Sequence, residues 1–192
     1  MSLTEVDWSL IPSPSDDGKA DHLEGIALPD VTLMATSGPS VTLSDLNGLA
    51  VIYVYPMTGR PDRDLPDGWD QIPGARGCTP QSCAFRDHHA ELKALGVRHL
   101  FGVSTQRTDY QREAAERLHL PFPLLSDAGR KLGDALDLPG MEVAGQHLHK
   151  RLTMIAVDGV IKKVFYPVFP PDRDADNVTL WLQSHADGRV ST

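Results

Sequence analysis

Leu49-Ala50-Val51-Ile52-Tyr53-Val54-Tyr55 runs without a polar break and stops at Pro56. It has strand length and is rich in β-branched and aromatic side chains. It therefore reads as a central strand buried on both faces, which Pro56 ends. From Met57 to Gly77 the chain is rich in Pro, Gly, Asp and Arg and reads as a long loop. Loops of this length inside a domain are uncommon and often functional. The next segment, from Cys78 to about Leu95, reads as a helix. Positions 78, 82, 85, 89 and 92 share one face, with Phe85 and Leu92 as its large apolar members.

The same alternation extends outward. Val31 to Ala35 and Ser40 to Leu43 read as short strands across the turn-rich link Thr36-Ser37-Gly38-Pro39, and Val97 to Val103 as another strand. Thr108-Asp109-Tyr110-Gln111 has capping-box spacing and opens a helix to about Leu118. Ser126 or Asp127 is placed to cap a further helix through Leu136. Residues 151–157 and 160–166 flank Asp158-Gly159, a strong hairpin signal, and Val178, Trp181 and Leu182 mark a last helix. This order predicts an α/β fold with a mixed central sheet and helices on both faces. Residues 1–24 mix Ser, Pro and Asp without hydrophobic period and read as an N-terminal extension, anchored by Trp8, Leu10 and Ile11. Residues 25–185 are the expected domain and 186–192 a polar tail.

The chain has 192 residues, two cysteines and a formal charge of −8. That charge argues against nucleic acid or an anionic membrane as the main partner. No apolar run is long enough to span a bilayer, and Met1 to Ser15 does not resemble a secretory signal. A cytoplasmic, reducing setting is the expectation, in which a cysteine pair points to catalysis, redox exchange or metal binding.

Both cysteines lie in Gly77-Cys78-Thr79-Pro80-Gln81-Ser82-Cys83-Ala84-Phe85-Arg86-Asp87. Cys78 falls at the helix start, where the dipole and unpaired amides favour a thiolate, and Arg76 and Arg86 add positive potential. Five residues turn a helix by about 140° net and separate the Cα atoms by roughly 8 Å, so the sulfurs point apart. A disulfide allows about 7 Å at most, so the first turns must unwind for the pair to close. Pro80 is tolerated only there. Two unreactive buried cysteines, or a zinc site of Cys78, Cys83 and His88 or His89, remain alternatives on spacing alone. The missing CxxC disfavours a thioredoxin-type reductase. His88 and His89 otherwise read as solvated helix positions, and His147, His149 and Lys150 as strand-edge polarity. Asp62, Asp64 and Asp67 read as an acidic solvated loop.

Val51-Ile52-Tyr53-Val54-Tyr55-Pro56 followed by the Gly77–Asp87 motif resembles the peroxiredoxins, and within them the bacterioferritin comigratory protein type with its GCTxxxC helix. Phe101-Gly102-Val103-Ser104, Leu120 to Asp127 and Arg151-Leu152-Thr153-Met154-Ile155 extend the likeness, in order, from about Leu23 to Leu182. The resemblance implies a thioredoxin-like fold and a thiol-dependent peroxidase acting on hydrogen peroxide or organic hydroperoxides. It implies Cys78 as the peroxidatic and Cys83 as the resolving cysteine. A dithiol protein such as thioredoxin is implied as reductant, no metal or organic cofactor is needed, and the chain is expected as a monomer or homodimer. Arg151 matches the arginine that orients thiolate and peroxide, and Pro56 the proline that shields the pocket, with Gly77 and Thr79 beside the cysteine.

The chain departs from the family's compact Pro-x-x-x-Thr/Ser-x-x-Cys spacing through about fifteen extra residues between Pro56 and Cys78. Ala75 stands where a hydroxyl is expected. Thr58 is the candidate replacement, with Thr79 a second. A peroxide sensor or an inactive protein of the same fold is the rival reading; no helix-turn-helix signature or basic face supports a regulator.

Overall fold

The apolar run becomes β3 (Leu49–Val54), every residue of which is buried. The computed structural model of the chain describes residues 6–185. β3 pairs in parallel with β4 (Val97–Ser104) and antiparallel with β8 (Leu152–Val157), so it sits in the middle of the sheet. Beyond β4 come β5 (Leu124–Ser126), parallel to it, then β1 (Thr32–Ala35) and β2 (Val41–Thr42), antiparallel. Beyond β8 comes β9 (Val160–Phe165), antiparallel across the Asp158-Gly159 turn. The seven-stranded order is β2-β1-β5-β4-β3-β8-β9. Asp158 and Gly159 have φ of 47° and 77°, the left-handed pair that a two-residue hairpin of this kind requires.

The pleat of β3 divides two cores. Val51, Tyr53 and Tyr55 face Phe85, Leu92, Ala114, Val178 and Leu182. These come from α1 (Cys78–Asp87), α2 (His89–Ala94), α3 (Thr108–Arg117) and α5 (Asp174–Ser184). Ala50, Ile52 and Val54 face Leu132 and Leu136 of α4 (Lys131–Leu136), with Ala20, Leu23 and Leu28 of the N-terminal segment. Each fully buried aliphatic side chain contributes about 1.5–3 kcal/mol through apolar burial. Helices therefore cover both faces of a mixed sheet.

Several local expectations are corrected. The helix expected over 78–95 is two helices that break at His88, whose amide and ring Nδ1 both go to Ala84 O, at 3.0 and 2.9 Å. Its Nε2 meets Asp176 Oδ1 at 2.7 Å, so His88 ties α1 to α5 rather than facing solvent. The capping box at Thr108 does not form: Arg107 is the N-cap, and Gln111 turns inward to Ser104 Oγ and Leu125 O. Asp127 does hold the start of α4, accepting from Leu132 N and Gly133 N, but from five and six residues upstream because Arg130 intervenes at φ 57°.

A second hairpin, β6 (Gly140–Val143) and β7 (Gln146–His149), stands apart from the main sheet. His149 lies in it, 1% exposed, with Nε2 2.8 Å from Asp127 Oδ2; it is a core residue and not edge polarity. Within the stretch expected as an extension, Ala20 and Leu23 are core residues. Trp8 anchors, its Nε1 donating to Asp172 Oδ2 at 2.9 Å, whereas Leu10 is 69% exposed. The tail 186–192 lies outside the described residues.

Candidate active site

Gly77 is the N-cap of α1, at φ 110°. A Cβ there would lie 2.6 Å from Pro171 Cγ and 2.7 Å from Trp8 Cη2, so glycine is required by backbone conformation and by space. The chain enters the helix at this point, which puts Cys78 in the first turn with its side chain buried in the same core as Tyr53 and Phe85. Ser82, one turn further, accepts from Tyr53 Oη at 3.1 Å, and Tyr53 stacks on Phe85 at 4.5 Å. This face of α1 is thus bolted to β3.

Pro56 is buried immediately after β3 and turns the chain so that Met57 N donates to Cys78 Sγ at 3.4 Å. From the other side Arg151 Nη2 donates to the same sulfur at 3.3 Å. Arg151, one residue before β8, is 3% exposed. Its Nη2 also lies 3.1–3.3 Å from the carbonyl oxygens of Gly74, Ala75 and Arg76. As a thiol, Cys78 Sγ has Ala75 O as its own acceptor at 3.7 Å.

Behind the arginine lies a buried relay. Arg151 Nη1 donates to Gln81 Oε1, Gln81 Nε2 donates to Asp174 Oδ2 at 2.7 Å, and Thr153 Oγ1 donates to the same oxygen at 2.7 Å. Burial pushes the Asp174 carboxyl up to about 6, against the pull of the Thr153 and Gln81 hydrogen bonds and the Arg151 charge. Asp174 opens α5, so the relay ties three elements, α1, β8 and α5, to one guanidinium.

Cys83 is also in α1, buried and unbonded to Cys78. Burial pushes its thiol up, with Arg86 pulling the other way. Thr79 lines the small cavity over Cys78, about 60 Å³ in volume. Thr58 does not reach the sulfur. Its amide and hydroxyl donate to Gln106 Oε1 at 3.0 and 3.2 Å, and Gln106 Nε2 returns a bond to Thr58 O. Among the described residues no group of three His, Cys, Asp or Glu side chains has a metal-binding arrangement.

The Redoxin family profile matches residues 23–179. A chloroplastic peroxiredoxin Q of Sedum lineare is 30% identical over 162 residues, covering 84% of this chain and 78% of its own. One from Gentiana triflora is 28% identical and covers 92% of this chain and 76% of its own. Among solved structures, peroxidoxin BcpB of Mycobacterium tuberculosis superposes with a TM-score of 0.67 at 25% identity, over 84% of this chain and 96% of that one. Peroxiredoxin Q of Xanthomonas campestris gives the same score and identity over 86% and 98%.

The chain is a peroxiredoxin of the bacterioferritin comigratory protein and peroxiredoxin Q subgroup. It is a thiol peroxidase with a thioredoxin-like fold. In this peroxiredoxin sequence reasoning named Cys78, Arg151, Gly77, Thr79 and Pro56, which the structure brings together, and Thr58, whose hydroxyl is turned to Gln106. It missed the Met57 amide, Gln81, Thr153 and Asp174. Gln81 carried a signal, a polar residue one turn after Cys78 in a buried helix start. Asp174, 93 residues further along the chain from Gln81, carried none.

Proposed function

We propose that Cys78 is the peroxidatic residue and Cys83 the resolving one, in a three-step cycle. The observation that carries this is the pair of donors, Met57 N and Arg151 Nη2, that converge on Cys78 Sγ at the start of α1. Donation from an amide and a guanidinium at a helix N-terminus is the arrangement that steadies the sulfur as it attacks. In the first step the thiolate attacks the terminal oxygen of the peroxide. The S–O bond forms, the O–O bond breaks, and water or an alcohol leaves once its oxygen takes a proton, giving Cys78 sulfenic acid. Arg151 stabilises charge on the oxygens as the bond breaks.

In the second step the first turns of α1 open, and the Cys83 thiolate attacks the sulfenic sulfur with loss of water. Helix geometry forbids a disulfide between these positions while α1 is intact. In the third step a dithiol protein of the thioredoxin class reduces the disulfide and returns both thiols. Thr58 acts indirectly in this scheme. By holding Gln106 it fixes the loop that aims Met57 N at the sulfur.

A sensor of the same fold is oxidised once, whereas a peroxidase turns over. The test is peroxide consumption with thioredoxin, thioredoxin reductase and NADPH. Many equivalents consumed per chain, and none by Cys78→Ser, is the expected result. Consumption that stops near one equivalent per chain would favour the sensor.

A further inference from the structure

The loop between β3 and α1 has its own small core. Trp69, 4% exposed, packs with Ala75 at the loop's far end and with Val143 and Leu148 of the β6–β7 hairpin. Arg76 Nη1 grips both oxygens of Asp70 at 2.7 Å, which pins the turn carrying Trp69. Arg117 Nη2 holds Gly59 O at 2.9 Å, and the Arg60 guanidinium sits over the Tyr110 ring at 5.4 Å. Leu65 closes on Gly59, where a Cβ would meet Leu65 Cδ2 at 3.2 Å. The loop is therefore tied at both ends and in the middle, and it is a packed roof.

What the roof leaves open is small. The cavity over Cys78, with Leu65 and Trp69 above and Thr79 and Pro80 below, measures about 60 Å³. That is room for a few water molecules, since about 10–15 Å³ of such space holds one. Hydrogen peroxide fits within it, whereas the tail of a hydroperoxide with an aryl or branched alkyl group must lie outside it. A much larger cavity of about 530 Å³ adjoins it, and Leu65 and Met57 line both. Leu65 is half-buried and forms part of the wall between them.

We propose that the inserted loop makes this peroxiredoxin selective for hydrogen peroxide over bulky organic hydroperoxides, with Leu65 as a specificity-determining residue. The inference rests on Cys78 being the peroxidatic residue. Truncating Leu65 joins the small cavity to the large one and gives an organic tail somewhere to lie. The loop thereby sets how much of the substrate behind the reacting oxygen reaches the sulfur.

The test is the rate of Cys78 oxidation by hydrogen peroxide and by cumene hydroperoxide, in single-turnover mixing, for the wild-type chain and Leu65→Ala. The quantity read is the ratio of the two second-order constants on one sample, which cancels any loss of folded protein. The wild-type ratio is expected to favour hydrogen peroxide by at least about tenfold, and Leu65→Ala to lower it by at least about tenfold, the scale of losing one or two buried methylenes' worth of discrimination. A wild-type ratio near one, or an unchanged ratio in Leu65→Ala, overturns the proposal while leaving the peroxidase reading intact. Failure of both peroxides to oxidise Cys78 overturns the two together.

Discussion

Cys78 and Cys83 lie five residues apart in one helix, both buried, yet their surroundings differ in kind. Cys78 Sγ, on the first residue of α1, is met by Met57 N and Arg151 Nη2. Cys83 lies further along α1, and burial raises its thiol. One sulfur is met by two N–H donors, and the other lies where burial disfavours its charged form. The lesson is that ordering in the proposed cycle is set by surroundings before it is conformational. In that proposal Cys78 reacts first because N–H donors are already in place around its sulfur, and Cys83 waits until α1 opens.

The largest expected effect comes from disturbing those donors. Arg151→Lys keeps a positive charge but loses the fork that spans Gln81 and the sulfur. The rate of Cys78 oxidation is expected to fall by about 10²-fold, the scale of losing one oriented donor to a developing anion. A rate within a factor of two of wild type in stopped-flow mixing would mean that the helix start alone distinguishes the two cysteines.

Cys83→Ser separates the steps. Oxidation of Cys78 should keep its rate within about twofold, while turnover with thioredoxin drops and sulfenic acid accumulates, because attack on it needs a second thiolate. Dimedone labelling followed by mass spectrometry measures this, and an unlabelled, fully active variant removes Cys83 from the cycle.

Asp174→Asn probes the relay behind Arg151. The native carboxyl holds its proton up to about 6 against 3.8 unfolded, so between these values the folded state binds more protons. Stability therefore falls as pH rises through about 4 to 6, by an amount on the order of 3 kcal/mol for this group. The asparagine variant should lack that slope, gaining on wild type as pH rises from 4 to 7 in urea unfolding. A constant difference across the range would show that Asp174 does not titrate there.

The smallest effect concerns the opening of α1. Trp8 lies over Gly77, bonded to Asp172 and edge-on to Phe169 at 5.9 Å. Trp8→Ala gives up about 1 kcal/mol of such contacts, so hydrogen exchange of the α1 amides should rise roughly fivefold. No change would mean that the N-terminal segment does not restrain the opening of α1 on which the proposed disulfide depends.

Much of this was legible in the sequence, for physical reasons that differ by element. The run 49–55 gave a strand because nothing in it tolerates water, and Asp158-Gly159 gave a hairpin because both residues accept positive φ. The β6–β7 hairpin was not legible because its turn is Ala144-Gly145, and Ala144 sits at φ 50° where alanine gives no signal. β5, three residues between prolines and a loop, is too short to show a period. Within the site, Cys78 announced itself through its helix start. Thr58 stands near Pro56 in sequence, but its hydroxyl bonds to Gln106, a partner the sequence did not suggest, and Asp174 was hidden because burial and a distant partner define its surroundings.

The central claim, that Cys78 reacts first and Cys83 closes the disulfide, is met most directly by one mass measurement. The protein is treated with one equivalent of hydrogen peroxide, alkylated, and digested with trypsin without reduction, and the peptide 77–86 is weighed. The account predicts a peptide two hydrogens lighter and carrying no alkyl group. A peptide alkylated at both cysteines and otherwise unchanged would contradict it.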